Sequence, residues 1–235
     1  MRVGKSALAL LAFLGAGHTS ASATEHSASV ERAVRWLLAT QDPATGHFGD
    51  SEAYGHGIAT YALAENYAIT RDPRLRAPIE LAVRQILRKQ LTRGGERRAG
   101  GWSYFYPDGA IFDEWPRTSI TAWQVMALES AKLGGIEVPD EAFDAARRFL
   151  ANSWDEEMGR FRYNHSPERL NQAYRTLPGS TPAALFALSL LGEDLASERW
   201  SQAVGFIASC APDAYRWEGE QAFVERAQGN LYFWY

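Results

Sequence analysis

The stretch Thr118-Ser-Ile-Thr-Ala-Trp-Gln-Val-Met-Ala-Leu-Glu-Ser-Ala-Lys132 decides the fold. Wound at 3.6 residues per turn, Ile120, Ala122, Trp123, Val125, Met126, Ala127 and Leu128 point in every direction and leave no polar face. A helix of that kind has to be buried. Two further segments read alike. Residues 56–67 carry Ile58, Ala59, Tyr61, Ala62, Leu63, Ala64 and Tyr67, and residues 182–191 are apolar except for Ser189. Each of the three contains an Ala-Leu pair: Ala62-Leu63, Ala127-Leu128 and Ala187-Leu188. A fourth such helix is expected to start near Asn230.

Amphipathic helices alternate with these apolar ones. In 75–91, Ile79, Ala82, Val83, Ile86, Leu87 and Leu91 share one face, with Arg84, Arg88 and Lys89 assigned to the other. Pro139 opens the next, which turns Phe143, Ala146, Phe149 and Leu150 inward. Ala33, Val34 and Leu37 near the start, and Trp200, Ala203, Val204 and Ile207 near the end, repeat the pattern. Each unit closes on Gly and an aromatic, with Phe48, Trp102, Phe161 and Trp217 separated by 54, 59 and 56 residues. Repetition at this period predicts stacked helical hairpins. Buried and half-buried helices in alternation predict an all-α fold of two concentric layers, an incomplete α/α toroid of about three and a half to four hairpins.

The boundaries carry helix-end chemistry. Thr118 or Ser119, Ser180 or Thr181, and Asn230 can each cap the helix that follows, while Gly134-Gly135 and Gly192 can end two apolar ones. The connections 92–117 and 152–179 are long enough to suggest a functional role.

The first 23 residues have a different composition. Arg2 and Lys5 precede an apolar run, Ala7–Ala16, and small residues end at Ala21-Ser22-Ala23. That order predicts a secretory signal peptide over 1–23, cleaved near Ala23, and export of a repeat domain over 24–235 to the periplasm or the extracellular space. The run is too short for a stable membrane span. A net charge of −4 offers no basic field for nucleic acid. The single cysteine, Cys210, excludes an internal disulfide and reads as a small hydrophobe on a helix.

The segments Thr118–Lys132, Tyr54-Gly-His-Gly-Ile-Ala-Thr-Tyr-Ala-Leu63, Gln41-Asp-Pro-Ala-Thr-Gly-His-Phe48 and Gly100-Gly-Trp-Ser-Tyr104 resemble the repeats of the prenyltransferase and squalene-cyclase superfamily. The resemblance covers roughly residues 30–235 and implies the toroid fold, whose closed members hold more hairpins than this chain supplies. It does not bring the enzymes' chemistry with it. Squalene–hopene-type cyclases place an Asp-x-Asp-Asp acid ahead of an inner helix, whereas the comparable stretch here is Ile111-Phe-Asp-Glu-Trp-Pro-Arg-Thr118. The adjacent acids Asp113 and Glu114 are the candidate catalytic pair, or surface acids held beside Arg117. The zinc set of protein prenyltransferases has no counterpart, so neither metal nor cofactor is expected.

Candidate ligand contacts are His56, set between Gly55 and Gly57 at a helix start, and the aromatics Trp102, Tyr104, Tyr106, Trp115 and Trp123. The structural alternatives are a satisfied core histidine and aromatic wedges between repeats. His165 belongs to a basic stretch with Arg160, Arg162, Arg169 and Arg175 that would suit an anion or simply face water. The expectation is an exported, non-catalytic repeat protein that binds an apolar small molecule or a protein partner. Self-association through an exposed C-terminal edge at Leu231–Tyr235 is expected with it. Two enzyme alternatives stand beside it. One is a terpenoid cyclase using Asp113 or Glu114. The other is an (α/α)-barrel polysaccharide-active enzyme pairing one of those acids with Asp155, Glu156 or Glu157.

Overall fold

Helix is nearly the whole of the regular structure in the computed structural model of the chain, which describes residues 2–49, 52–106, 113–166 and 176–210. Eight α-helices run in order among them: α1 (Arg2–Gly15), α2 (Ser27–Ala39), α3 (Ala53–Thr70), α4 (Pro73–Lys89), α5 (Thr118–Leu133), α6 (Asp140–Asn152), α7 (Ser180–Leu190) and α8 (Ser201–Cys210). The one sheet among the described residues is a two-residue antiparallel pair, β1 (Trp154–Asp155) with β2 (Arg160–Phe161). The chain is all-α. No described helix is long and apolar enough to cross a membrane.

The contacts divide the chain into two compact units: Met1–Gln90, Trp102–Asp113 and Trp123–Ala142 in the first, and Leu91–Gly101, Glu114–Ala122 and Phe143–Tyr235 in the second. In the first unit, α3 is the apolar helix the sequence announces, and Ala53, Ile58, Ala59, Ala62, Leu63, Ala64 and Tyr67 are all buried. It packs against α1 and α4. Glycines make the close approaches possible, since a Cβ on Gly57 would meet the Gln124 side chain at 2.5 Å. The Gln124 Nε2 in turn donates to the Ala53 carbonyl at 2.9 Å.

Helix α4 starts where Asp72 accepts from the Arg74 amide at 3.0 Å and Pro73 supplies a preset φ. Its buried seam is Leu75, Ile79, Ala82, Val83 and Ile86, and it continues to Lys89. The assignment of Lys89 to the solvent side is therefore corrected, because three residues past Ile86 and seven past Ala82 it lies on the same stripe.

The turn that closes the first repeat is tied to α4 through Gln41, whose Nε2 donates to the carbonyls of Gly46 and Pro78 at 3.0 and 2.8 Å. Gly46 has φ +81°, and a Cβ there would sit 2.5 Å from the Leu81 carbonyl oxygen.

In the second unit, Phe143, Ala146, Phe149 and Leu150 of α6 are buried as their spacing requires. Trp154, Phe161 and Trp200 form one ring cluster with centroid separations of 5.2 to 5.6 Å. The closing aromatics Phe48, Trp102 and Phe161 are all fully buried. Trp217 and the segment Leu231–Tyr235 lie outside the described residues, as does the side chain of Cys210.

One expectation about helix ends is corrected, that Ser180 or Thr181 caps α7, and Thr118 is set aside as the cap of α5. The hydroxyls of Thr118 and Thr181 do not cap their own helices: Thr118 Oγ1 donates to the Arg162 carbonyl, and Thr181 Oγ1 accepts from the Phe161 amide at 3.1 Å. A hydroxyl near a helix start serves a neighbouring backbone segment as readily as its own first turn. The glycine ends are as expected, with Gly135 and Gly192 both at φ +85°. Finally, α7 is not buried all round, for Phe186 is 49% and Leu190 38% exposed. An apolar pattern marks a face that gains by burial; it does not supply the neighbour.

Candidate functional site

The residues singled out in the sequence fall into separate places, and the largest group considered among the described residues joins four side chains. It lies in the first unit, where the closing turn, α3, α4 and the end of the 102–106 segment bring His47, His56, Lys89 and Tyr106 together. The two imidazoles stack with centroids 4.5 Å apart and 18° between planes. Tyr106 stands edge-on to both, at 5.4 Å from His47 and 6.1 Å from His56. The Lys89 ammonium lies 5.9 Å from the Tyr106 ring centroid. All four side chains are buried.

The bonding of His56 fixes its state. Its Nδ1 accepts from the Phe48 amide at 3.1 Å, so the proton is on Nε2, which donates to the Ala82 carbonyl at 3.3 Å. Burial, with His47 adding to it, holds its pKa well below the usual histidine value. A neutral ring with both nitrogens committed to backbone is a structural histidine. The flanking glycines serve helix packing: Gly57 faces Gln124 and Gly55 faces α1. The idea that they admit a ligand to the backbone is corrected on that ground.

Tyr106 differs. Its hydroxyl is buried with no hydrogen-bond partner among the described residues, and burial pushes its pKa well above the usual tyrosine value. At neutral pH it keeps its proton and can donate a hydrogen bond, but it cannot act as a base. Lys89 and His47 complete this group and were not singled out from sequence. The signal for Lys89 was available in its position on the apolar stripe of α4.

The other aromatics lie apart from this group, and two of them are buried. Trp102 is fully buried and its indole Nε1 donates to the Ile86 carbonyl at 2.8 Å. Trp123 is 3% exposed and packs at 6.2 Å from Tyr61. Tyr104 is half-buried, 5.5 Å from Tyr54. Trp115, in the second unit, lies under the Arg98 guanidinium at 5.2 Å.

The acid pair is engaged on two separate partners. Asp113 Oδ2 accepts from the Tyr104 amide at 3.3 Å, and exposed Glu114 is ion-paired with Arg98. That arrangement does not make them a pair sharing a proton.

His165 sits in the second unit beside Ser153, with Nε2 and Oγ 3.1 Å apart, and the same unit holds the buried carboxylate of Asp155 two residues along the chain from Ser153. These are the residue types of a nucleophilic triad, but they are wired otherwise. Ser153 Oγ donates to the Phe149 carbonyl at 2.9 Å, and with that bond made His165 Nε2 donates to Ser153 instead of accepting its proton. Asp155 is held by Arg162 Nε at 3.0 Å and by the Met158 amide at 3.2 Å. Burial, with Arg162 and Arg97 adding to it, lowers the His165 pKa to about 4. The basic stretch is correspondingly reduced: Arg162 is paired with Asp155, Arg160 covers the Phe206 ring at 4.1 Å, and Arg169 and Arg175 lie outside the described residues.

Among the described residues no group of three or more His, Cys, Asp or Glu side chains is placed to hold a metal. Compared with known proteins, the chain matches no protein-family model and no curated protein.

Proposed function

We propose that this protein is a repeat scaffold of the squalene-cyclase-like α/α-toroid kind that binds an apolar ligand or a protein partner and performs no cyclisation. The observation that carries the reading is the recurrence of one buried closing aromatic per repeat, Phe48, Trp102 and Phe161, each with zero exposure. Spending these side chains on packing supports a scaffold. So does the engagement of Asp113 and Glu114 by a backbone amide and an arginine, since an alkene-protonating acid needs its proton free and its carboxyl facing substrate. The exposed pair Phe186 and Leu190, one turn apart on α7, is the apolar surface that such binding would use.

The test is incubation of the full chain with squalene and, separately, with a prenyl diphosphate. Binding without a cyclised product is expected, and binding is expected to weaken in Phe186→Asp. A cyclised product that disappears in Asp113→Asn would replace the scaffold by an enzyme.

A further inference from the structure

We propose that residues 2–15 are the first apolar helix of the repeat array and stay in the folded protein, rather than being removed with a leader. Composition cannot separate these fates, because a signal peptide and a buried helix both need an uninterrupted apolar run. The way α1 is finished and seated can.

The end of α1 is built like the ends of α5 and α7. Gly17 has φ +82°, its amide donates to the Leu14 carbonyl at 2.9 Å, and the next amide, of His18, donates to the Phe13 carbonyl at 2.9 Å. In α5, Gly135 donates to Lys132 and Ile136 to Ala131; in α7, Gly192 donates to Ser189 and Glu193 to Leu188. The same pair of bonds around a left-handed glycine closes all three helices. The helix also carries Ala7-Leu8 and Ala9-Leu10, the dipeptide found in α3, α5 and α7. The glycine closure is a feature of a folded helix end, and a leader has no need of it.

The body of the first unit is shaped to receive it. Val3, Ala7, Leu10, Leu11 and Leu14 are buried, while Arg2, Lys5 and Ala12 face water. A Cβ on Gly4 would lie 3.6 Å from the Gly55 Cα, so α1 and α3 cross at glycine on both sides. A Cβ on Gly49 would meet the Val3 side chain at 2.7 Å.

The connection to α2 is a bonded turn. Thr19 Oγ1 accepts from the Ala21 and Ser22 amides at 3.2 and 3.0 Å, and Ser22 Oγ accepts from the Thr19 amide at 2.8 Å. Buried Asn66 of α3 donates to Ser20 Oγ at 3.4 Å. Cleavage after Ala23 would take away α1, strip the facing side of α3 and leave that amide without its partner.

Two measurements on the full chain decide it. The first is the intact mass and N-terminal sequence of the protein recovered from a bacterial host that processes signal peptides. The full-length chain is expected, and a product starting at Thr24 would overturn the proposal. The second is Gly4→Leu, which forces a side chain into the glycine crossing. The melting temperature is expected to fall by roughly 5 °C. A variant melting like the wild type would show that α1 does not belong to the fold, whatever the mass.

Discussion

The Phe48 amide donates to Nδ1 of His56 at 3.1 Å, so the aromatic that ends the first turn is fastened to the helix that follows it. The third repeat does the same with different chemistry, for the Phe161 amide donates to Thr181 Oγ1 at 3.1 Å near the start of α7. In both, an apolar ring is driven inward and drags a backbone N–H out of water, and a side chain on the next helix accepts it. An imidazole nitrogen and a hydroxyl oxygen are interchangeable in this role. That explains why a residue with catalytic potential can occupy the position for purely structural reasons.

His56→Leu keeps the volume of the side chain and removes the acceptor. The buried Phe48 amide is then left unsatisfied, which costs about 2–3 kcal/mol. Urea unfolding should show a lower midpoint with an unchanged slope. A variant as stable as the wild type would mean that the Phe48 amide finds another partner.

Acid should weaken the protein through His165. Its pKa is about 4 when folded and 6.5 as the ordinary value, so between those limits the unfolded chain binds more protons. Stability from this group is complete above about pH 6.5 and is lost as pH falls toward 4, by about 3 kcal/mol in all. His165→Asn should flatten the urea midpoint against pH in that window. Equal slopes for variant and wild type would place the acid sensitivity elsewhere, with His56 as the next group to replace.

What the sequence disclosed was set by periodicity. The buried faces of α3, α4, α5 and α6 follow from apolar spacing, and the glycine ends of α5 and α7 follow from the left-handed turn only glycine takes easily. The site was less legible for two reasons. A residue type does not reveal its bond partners: Gly55-His56-Gly57 suggests ligand access, yet its geometry is dictated by Gln124, Phe48 and Ala82. The spacing of His47, Lys89 and Tyr106 along the chain also carries no sign that tertiary packing brings them together. At the helix ends the hydroxyls of Thr118 and Thr181 were ambiguous in the same way, since a cap and a tertiary bond require the same residue at the same place.

Ala127→Asp places a carboxylate at a fully buried position on α5. Cut off from water there, the group must either ionise in a medium that solvates it poorly or take up a proton. The expected loss is several kcal/mol, on the order of 3–5. Thermal denaturation should show a large fall in melting temperature or failure to fold, and an unchanged transition would show that this face of α5 is open to water.

Gly46 and Gly135 form an internal control for backbone strain against steric exclusion. Both have a left-handed backbone, at φ +81° and +85°. Around Gly135 nothing lies within 4 Å of an added Cβ, so Gly135→Ala meets only the conformational penalty, about 1 kcal/mol. At Gly46 the same methyl would lie 2.5 Å from the Leu81 carbonyl oxygen and 2.7 Å from Leu81 Cγ, so the turn must also move away from α4. Movement there loosens the two bonds by which Gln41 holds the turn to Gly46 and Pro78. Gly46→Ala should therefore cost about 3 kcal/mol, roughly three times its counterpart. Chemical denaturation of the two variants side by side measures the difference. Equal losses would mean that the closing turn has slack against α4 and that Gln41 does not fix it there.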